Sequence, residues 1–299
     1  MIAAGLGVLL GGLGTAAALQ AARGQAPERA APVERPFEVE RSAVHAIASK
    51  TLGRTYDIYV KLPASYDLSE SAQRRYPVIY LTDGPYTFQV TSGVTRVPYN
   101  QKRLEEAILV GVSYAEGTDP AVNRREDLTP WPHPKYPGTS GGAARYLQFL
   151  KTEAMPLVEE RYRVDPARRV LAGQSYGGLF GAWVALNEPT LFDAYILTSP
   201  SLWYAKRELF RAEAEYARTH KALPAKIYFT VGGLERPQYG AEVDMVGDQQ
   251  AFVEQLRSRN YRGLELRGDV IEGTHHETTF PVGLIHGLQR LFLRQPPRA

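Results

Sequence analysis

The feature that most restricts the fold of this chain is a serine flanked by glycines, in the sequence Gly173-Gln174-Ser175-Tyr176-Gly177. Residues 170–172 before it are apolar and typical of a buried strand, and the segment after it can form a helix. A serine on so tight a strand-to-helix turn needs small neighbours, because larger side chains two positions away would collide. The pattern predicts a nucleophile at Ser175, with the Tyr176 N–H helping to hold an oxyanion at the helix start. The alternative is a glycine-rich turn with an incidental serine.

Short apolar runs alternate with helical patterns along most of the chain. Two strands with an antiparallel pattern are predicted at residues 39–47 and 55–62, and buried strands at 76–81, 104–112, 194–198, 227–231 and 264–271. Helices are predicted at 143–163, 204–219, 244–259 and 279–293, and residues 113–142 as a long irregular loop of the kind that walls a pocket. This order predicts an α/β fold with a central, mostly parallel sheet, flanking helices and antiparallel N-terminal strands.

The chain begins with an uncharged segment rich in alanine, leucine and glycine. We interpret residues 1–26 as a signal peptide without a basic start, residues 27–36 as a linker, and residues 37–299 as one domain. A stable membrane span is not expected, since glycines interrupt a stretch barely long enough to cross a bilayer. The protein is therefore expected to be exported, either to a periplasm or to the medium.

Composition restricts the partners and the chemistry. The chain has no cysteine, which excludes disulfides and thiolate metal sites, and its net charge of +3 is spread along the sequence. No basic block with interleaved aromatic residues is present, so nucleic acid is not an expected partner. The chemistry predicted for Ser175 needs no metal and no organic cofactor.

A serine nucleophile needs a general base, and two of the six histidines stand where one is expected. His275 and His276 follow the last predicted strand, about a hundred residues after the serine, in the order serine, acid, histidine. Glu235 follows the preceding strand and is the favoured acid, with Asp244 and Asp248 as alternatives. A serine–histidine dyad without an acid also remains open.

A second oxyanion donor is expected in the loop after the strand at 76–81. The loop has the sequence Asp83-Gly84-Pro85-Tyr86, and proline has no N–H to donate. The donor is therefore either Gly84 or Tyr86, and Tyr86 is weakly favoured.

Several motifs occur together and in order: residues 80–84 (YLTDG), 124–130 (RREDLTP), 173–180 (GQSYGGLF), 199–204 (SPSLWY) and 274–281 (THHETTFP), followed by Gly287-Leu288. Over roughly residues 40–295 the chain resembles the putative-esterase family of α/β hydrolases. That family includes esterase D, feruloyl and acetyl-xylan esterases, mycolyltransferases and enterobactin-type siderophore esterases. The motifs DLTP and SPSLW point to the siderophore-esterase branch, whereas Gln174 stands where the family usually has histidine.

The resemblance implies roles for particular residues. The family's spacing before the final proline and Gly-Leu pair identifies His276 as the base, with His275 as a pocket neighbour. Mycolyltransferases use a glutamate after the same strand as Glu235, whereas similar siderophore esterases can work with a dyad. The resemblance also places Arg124, Arg125 and Trp203 in the pocket wall, where charge and cation–π contacts would suit an anionic ferric catecholate. The alternative is that Arg125 pairs structurally with Asp127 and that Trp203 belongs to the core.

These observations predict an esterase that acts on a small-molecule ester through an acyl-enzyme, with a catecholate trilactone siderophore as the expected substrate. A feruloyl or acetyl carbohydrate esterase, or an acyltransferase, is the alternative on the same fold. A binding protein without catalysis is the least expected, because the serine, the histidine and the glycines of the turn are all present.

Overall fold

The computed structural model describes residues 36–293. The predicted signal peptide (1–26) and, apart from residue 36, the predicted linker (27–36) lie outside the described residues. No helix within residues 36–293 is both long enough and apolar enough to cross a membrane.

A mixed sheet of eight strands forms the centre of the described chain. Its strands are β1 (Ser42–Ala48), β2 (Thr55–Lys61), β3 (Tyr76–Leu81), β4 (Ile108–Val112), β5 (Val164–Gln174), β6 (Ala194–Thr198), β7 (Ala222–Gly232) and β8 (Arg262–Ile271). Their order is β1-β2-β4-β3-β5-β6-β7-β8. The pairs β1/β2 and β2/β4 are antiparallel, and the other neighbouring strands are parallel. The predicted α/β fold, with a mostly parallel sheet and antiparallel N-terminal strands, is confirmed.

The connections between the strands are largely helical. The helices are α1 (Gly84–Asn100), α2 (Pro120–Leu128), α3 (Ala143–Phe149), α4 (Met155–Arg161), α5 (Tyr176–Asn187), α6 (Tyr204–Thr219), α7 (Met245–Ser258) and α8 (His276–Phe292). A π-helical segment (Leu150–Ala154) joins α3 to α4, just before Pro156. Since proline cannot supply the N–H of a regular helical turn, a local break is expected there.

Core residues lie on both faces of the sheet, which is why the central strands read as continuous apolar runs. All six residues of β3 are buried. Val78 and Tyr80 point into one apolar cluster, together with Phe180 of α5, whereas Ile79 and Leu81 point into the other, with residues of α8. Pairing with β4 on one side and β5 on the other sets the register of β3 and the position of the loop that follows it.

Four features differ from the sequence prediction. Helix α1 was not predicted, and the loop predicted at 113–142 contains α2, whose first turn is capped by the Asp119 side chain. Helix α6 has the predicted bounds, but residues 205–207 have φ values of 48°, 57° and 62°, so its start is a left-handed turn. Strand β4 begins four residues later than the predicted 104.

Candidate active site

The residues predicted to carry the chemistry follow different strands of the parallel part of the sheet. Ser175 comes directly after β5, Glu235 shortly after β7, and His276 begins α8, after β8. Since these strands are parallel, their carboxyl ends lie at one edge of the sheet. Three side chains that are far apart in sequence therefore meet there. Ser175 and Glu235 are 60 positions apart, and Glu235 and His276 are 41 positions apart.

Ser175 has the backbone of a strained turn. Its φ of 59° and ψ of −117° lie outside the regions that non-glycine residues favour. The flanking glycines allow this geometry, because a Cβ on Gly173 would lie 2.6 Å from the Gly177 carbonyl and one on Gly177 would overlap Thr82 Oγ1. The Ser175 N–H donates to the Thr198 carbonyl at 3.0 Å, which ties the turn to the neighbouring strand. The predicted strand–serine–helix turn is present.

His276 and Glu235 form a direct pair. The distance between His276 Nδ1 and Glu235 Oε2 is 2.6 Å. The other carboxylate oxygen, Oε1, accepts hydrogen bonds from three groups at 2.7, 2.5 and 3.1 Å: the Gly232 N–H, the Ser199 hydroxyl and the Thr279 hydroxyl. The carboxylate is almost fully buried, so these bonds fix its position and its orientation toward the imidazole.

The surroundings of Glu235 also set its charge. Burial alone would raise the pKa of its carboxyl, but the hydrogen bonds from His276, Ser199 and Gly232 outweigh burial, and the pKa is lowered. The two alternative acids are engaged elsewhere. Asp244 caps α7 through the Gly247 N–H at 2.9 Å, and Asp248 pairs with Arg207.

The environment of the serine hydroxyl involves a residue that was not predicted. Ser175 Oγ lies 3.3 Å from the hydroxyl of buried Ser201, and within residues 36–293 it makes no direct hydrogen bond to His276. Gln174, which precedes the serine, donates its side-chain amide to the His276 carbonyl and so holds the start of α8 beside the serine turn. The serine–histidine bond of such sites commonly tightens only when substrate binds.

The two predicted oxyanion donors from the loop after β3 differ in availability. The Tyr86 N–H donates to the Asp83 carbonyl at 3.0 Å, within the first turn of α1. Gly84 is the first residue of α1, a position whose amide has no acceptor inside its own helix, and Tyr176 has the same position in α5. The amide at the helix start favours Gly84 with Tyr176, whereas Tyr86 lines the same cleft as Ser175 but already uses its amide. The choice between Gly84 and Tyr86 stays a prediction.

Two clefts meet at Ser175 and His276. The first, of about 450 Å³, is lined by Trp203, Tyr239 and His275, and we call it the Trp203 cleft. The second, of about 410 Å³, is lined by Asp83, Tyr114 and Arg124, and we call it the Arg124 cleft. An ester carbonyl at Ser175 would thus have space on both sides, for its acyl part and its alcohol part.

The predicted pocket arginines have different surroundings. Arg124 lines its cleft but forms a two-bond ion pair with Asp83, with Nε–Oδ1 and Nη2–Oδ2 distances of 2.7 and 3.1 Å. Arg125 lines neither cleft formed by the described residues, because its guanidinium is hydrogen-bonded to Thr139 and lies over the Tyr136 ring. Arg125 is thus outside these two clefts, and its assignment to the pocket wall stays a prediction.

The alternative that Arg125 pairs with Asp127 is also not what the structure shows. Asp127 accepts hydrogen bonds from Arg54, Tyr56 and Asn123, and burial raises its pKa to about 6. Trp203 is half-buried and lines a cleft, so it is more than a core residue.

Several site residues were missed from sequence. Ser199 and Ser201 both lie in the motif SPSLW, where their regular spacing after β6 could have suggested contact with the acid and the nucleophile. Asp83 and Tyr114 carry no such local signal. No three His, Asp or Glu side chains of residues 36–293 converge into a group able to hold a metal ion.

Comparisons with known proteins identify the family of this chain. The family model described as putative esterase matches residues 49–291. Ferri-bacillibactin esterase BesA of Bacillus subtilis is 26% identical over 262 residues, covering 82% of this chain and 88% of that protein. The siderophore enterobactin esterase of Emericella nidulans is 26% identical over 249 residues, covering 78% of this chain and 80% of that protein.

A solved structure of similar fold also matches most of the chain. Siderophore hydrolase EstB from Aspergillus nidulans has a TM-score of 0.75 and 25% identity, covering 89% of this chain and all of that one. The family match spans well over half of the 299 residues. The chain therefore belongs to the putative esterase family and is a carboxylic ester hydrolase.

Proposed function

We propose that this protein is a serine esterase that hydrolyses carboxylic esters through an acyl-enzyme. The observation that carries the proposal is the arrangement at Ser175. A serine in a strained turn shares two clefts with His276, and a buried carboxylate holds that imidazole by its Nδ1 atom. This is the set of groups that nucleophilic acyl transfer requires.

The residues divide the reaction between them. Ser175 Oγ attacks the ester carbonyl while His276 Nε2 takes its proton, and the charge on the carbonyl oxygen is held by the N–H groups of Tyr176 and Gly84. His276 then gives the proton to the leaving alcohol. In the second half, His276 activates a water that attacks the acyl-enzyme, and Ser175 is released. Glu235 keeps the Nδ1 proton in place throughout and stabilises the positive imidazolium.

We propose a siderophore ester, of the catecholate trilactone type, as the substrate. The support comes from the three relatives described above, which are named as siderophore esterases or hydrolases and share 25–26% of their residues with this chain. The aromatic wall of the Trp203 cleft also suits a ligand with aryl groups. A feruloyl or acetyl carbohydrate ester remains the second candidate, because the same machinery would open it.

The test is hydrolysis by purified protein, followed by mass spectrometry. Ferric and iron-free catecholate trilactone are compared with a feruloyl sugar ester, with and without an added alcohol as acyl acceptor. Rapid trilactone opening that is lost in Ser175→Ala supports the proposal in full. Cleavage of the feruloyl ester alone contradicts the siderophore assignment, transfer to the alcohol in preference to water contradicts hydrolysis, and activity retained by Ser175→Ala contradicts the mechanism.

We also propose that the protein is exported, on the composition of residues 1–26. Expression of the full chain, cell fractionation and N-terminal sequencing test this. A mature chain that begins near residue 27 in the periplasm or medium is expected. An uncut chain in the cytoplasm would contradict export.

A further inference from the structure

The loop that presents the Gly84 N–H has an unusual backbone. Asp83 is not a glycine, yet its φ is 56° and its ψ is 44°, in the left-handed region. The ψ of Asp83 orients the peptide plane between Asp83 and Gly84, and that plane contains the Gly84 N–H. Gly84 itself is pressed against β4, since a Cβ there would lie 2.6 Å from the Val112 carbonyl oxygen. The direction of the donor therefore depends on how Asp83 is held.

Three hydrogen bonds hold the Asp83 side chain. Arg124 donates two of them, at 2.7 and 3.1 Å, and the Tyr114 hydroxyl donates a third to Oδ1 at 3.1 Å. Burial, and next to it the Asp83 charge, raise the pKa of Tyr114, so its phenol keeps the proton that it donates. The Asp83 side chain is only 6% exposed and that of Arg124 is 23% exposed. A paired carboxylate in this setting is firmly positioned.

Arg124 also contacts the other oxyanion residue. Its guanidinium carbon lies over the Tyr176 ring, 5.1 Å from the ring centre. The same side chain thus touches Tyr176 directly and reaches Gly84 through Asp83. Its charge is meanwhile neutralised by the carboxylate, which leaves it poorly suited to attract an anionic substrate.

We propose that Arg124 and Asp83 form a positioning pair that aligns the oxyanion donors of Gly84 and Tyr176, and that Arg124 is not a substrate-charge receptor. This inference rests on the proposed function, because it assigns a role within that site. It replaces the role in substrate binding that the family resemblance implied for Arg124.

Two esters distinguish a positioning role for Arg124 from a role in binding substrate charge. One is the p-nitrophenyl ester of butyric acid, which is neutral. The other is the p-nitrophenyl monoester of glutaric acid, which carries one negative charge. For a positioning pair, Arg124→Gln lowers kcat by roughly 10- to 100-fold on both esters, because a misplaced donor fails mainly in the transition state. A rise in KM for the anionic ester alone, with kcat on the neutral ester unchanged, overturns the proposal.

Asp83→Asn is a second variant for which the two roles of Arg124 predict different results. A positioning pair predicts a lower kcat on both esters, whereas a charge receptor freed from its carboxylate would bind the anionic ester more tightly. The double variant R124Q/D83N should be little worse than either single variant, since both remove the same pair. Effects that multiply fully in the double variant would contradict a shared role.

Two milder variants test the same role if the Arg124→Gln and Asp83→Asn proteins fold poorly. Arg124→Lys keeps the charge but cannot make two parallel bonds, so kcat should still fall on both esters. Tyr114→Phe removes only the third bond to Asp83 and should lower kcat by a few-fold at unchanged KM. Full activity in both variants overturns the proposal.

The matched control is Arg168→Gln. Arg168 also makes a two-bond pair, from Nη1 and Nη2 to Glu105 at 2.8 and 2.7 Å, and lies in β5 seven residues before Ser175. Its loss should leave kcat and KM unchanged. Loss of all activity in Ser175→Ala tests the proposed function separately, so that a failed positioning role and a failed serine mechanism give different results.

Discussion

Replacing Glu235 with glutamine tests the acid of the site more sharply than its removal would. Three of the four hydrogen bonds to the carboxylate go to Oε1, from Gly232, Ser199 and Thr279. A glutamine carbonyl oxygen can accept all three. The amide nitrogen then replaces Oε2, 2.6 Å from His276 Nδ1. The substitution therefore keeps the three hydrogen bonds to Oε1 and reverses the direction of the one to His276.

That reversal acts through the tautomer of the imidazole. Two donors cannot face each other, so His276 must place its proton on Nε2 and accept at Nδ1, and Nε2 can then no longer act as the base. The comparable exchange in serine proteases costs about 10⁴ in kcat. We expect Glu235→Gln to lower kcat by roughly 10³- to 10⁴-fold, or about 4 to 5 kcal/mol. The free energy of unfolding should fall by only about 1–3 kcal/mol.

Initial rates on a soluble p-nitrophenyl ester, with thermal unfolding of the same samples, measure both quantities. Asp244→Asn is the matched control: Asp244 lies nearby, but its Oδ1 accepts from the Gly247 N–H, a role that an asparagine oxygen also fills. This control should keep full activity. A loss below about tenfold in a folded Glu235→Gln protein would refute the reasoning and indicate a serine–histidine dyad.

Three further predictions concern folding and the pocket wall. Burial raises the pKa of Asp127 to about 6, so the folded state binds this proton more tightly than the unfolded state does. The wild type therefore loses stability as the pH rises from about 4 to 6. Thermal melts should show that Asp127→Asn gains stability relative to the wild type over this range. Gly84→Ala should lower the free energy of unfolding, measured by chemical denaturation, by about 1–3 kcal/mol, because its Cβ would lie 2.6 Å from the Val112 carbonyl oxygen. Gly93→Ala is the control in the same helix. Its Cβ would have no atom within 4 Å, so it should not destabilise the fold. Trp203→Ala should raise KM more than it lowers kcat in steady-state assays, since Trp203 lines a cleft.

The elements with strong local patterns were predictable from sequence. Strand β3 (Tyr76–Leu81) has its predicted bounds, because a short apolar run that ends at a turn sequence is typical of a strand buried on both faces. The turn at Ser175 was equally predictable, since its glycines meet a steric demand that is visible in five residues. Glu235 and the pair His275–His276 could be placed because parallel strands bring their carboxyl ends to one edge. The resemblance to the esterase family selected His276 from that pair.

What sequence reasoning missed depends on tertiary contacts. Helix α1 contains Pro98, exposed Val97 and several threonines, a poor helical pattern. It forms because its buried face packs on the sheet, and the buried hydroxyls of Thr91 and Thr95 are satisfied there by carbonyls one turn back. The pairing of Asp83 with Arg124 spans 41 positions and has no local signature.

The site divides into two parts that different strands position. The oxyanion donors follow β3 and β5, whereas Glu235 and His276 follow β7 and β8. If Arg124 aligns only the donors, its contribution should persist when the base is disabled, because oxyanion stabilisation is the catalysis that survives loss of a triad member. The variant R124Q/E235Q should therefore lose close to the product of the two single losses in kcat, measured by titrated active sites over long reaction times. A double variant no slower than E235Q alone would show that Arg124 acts through the imidazole and not through the oxyanion donors.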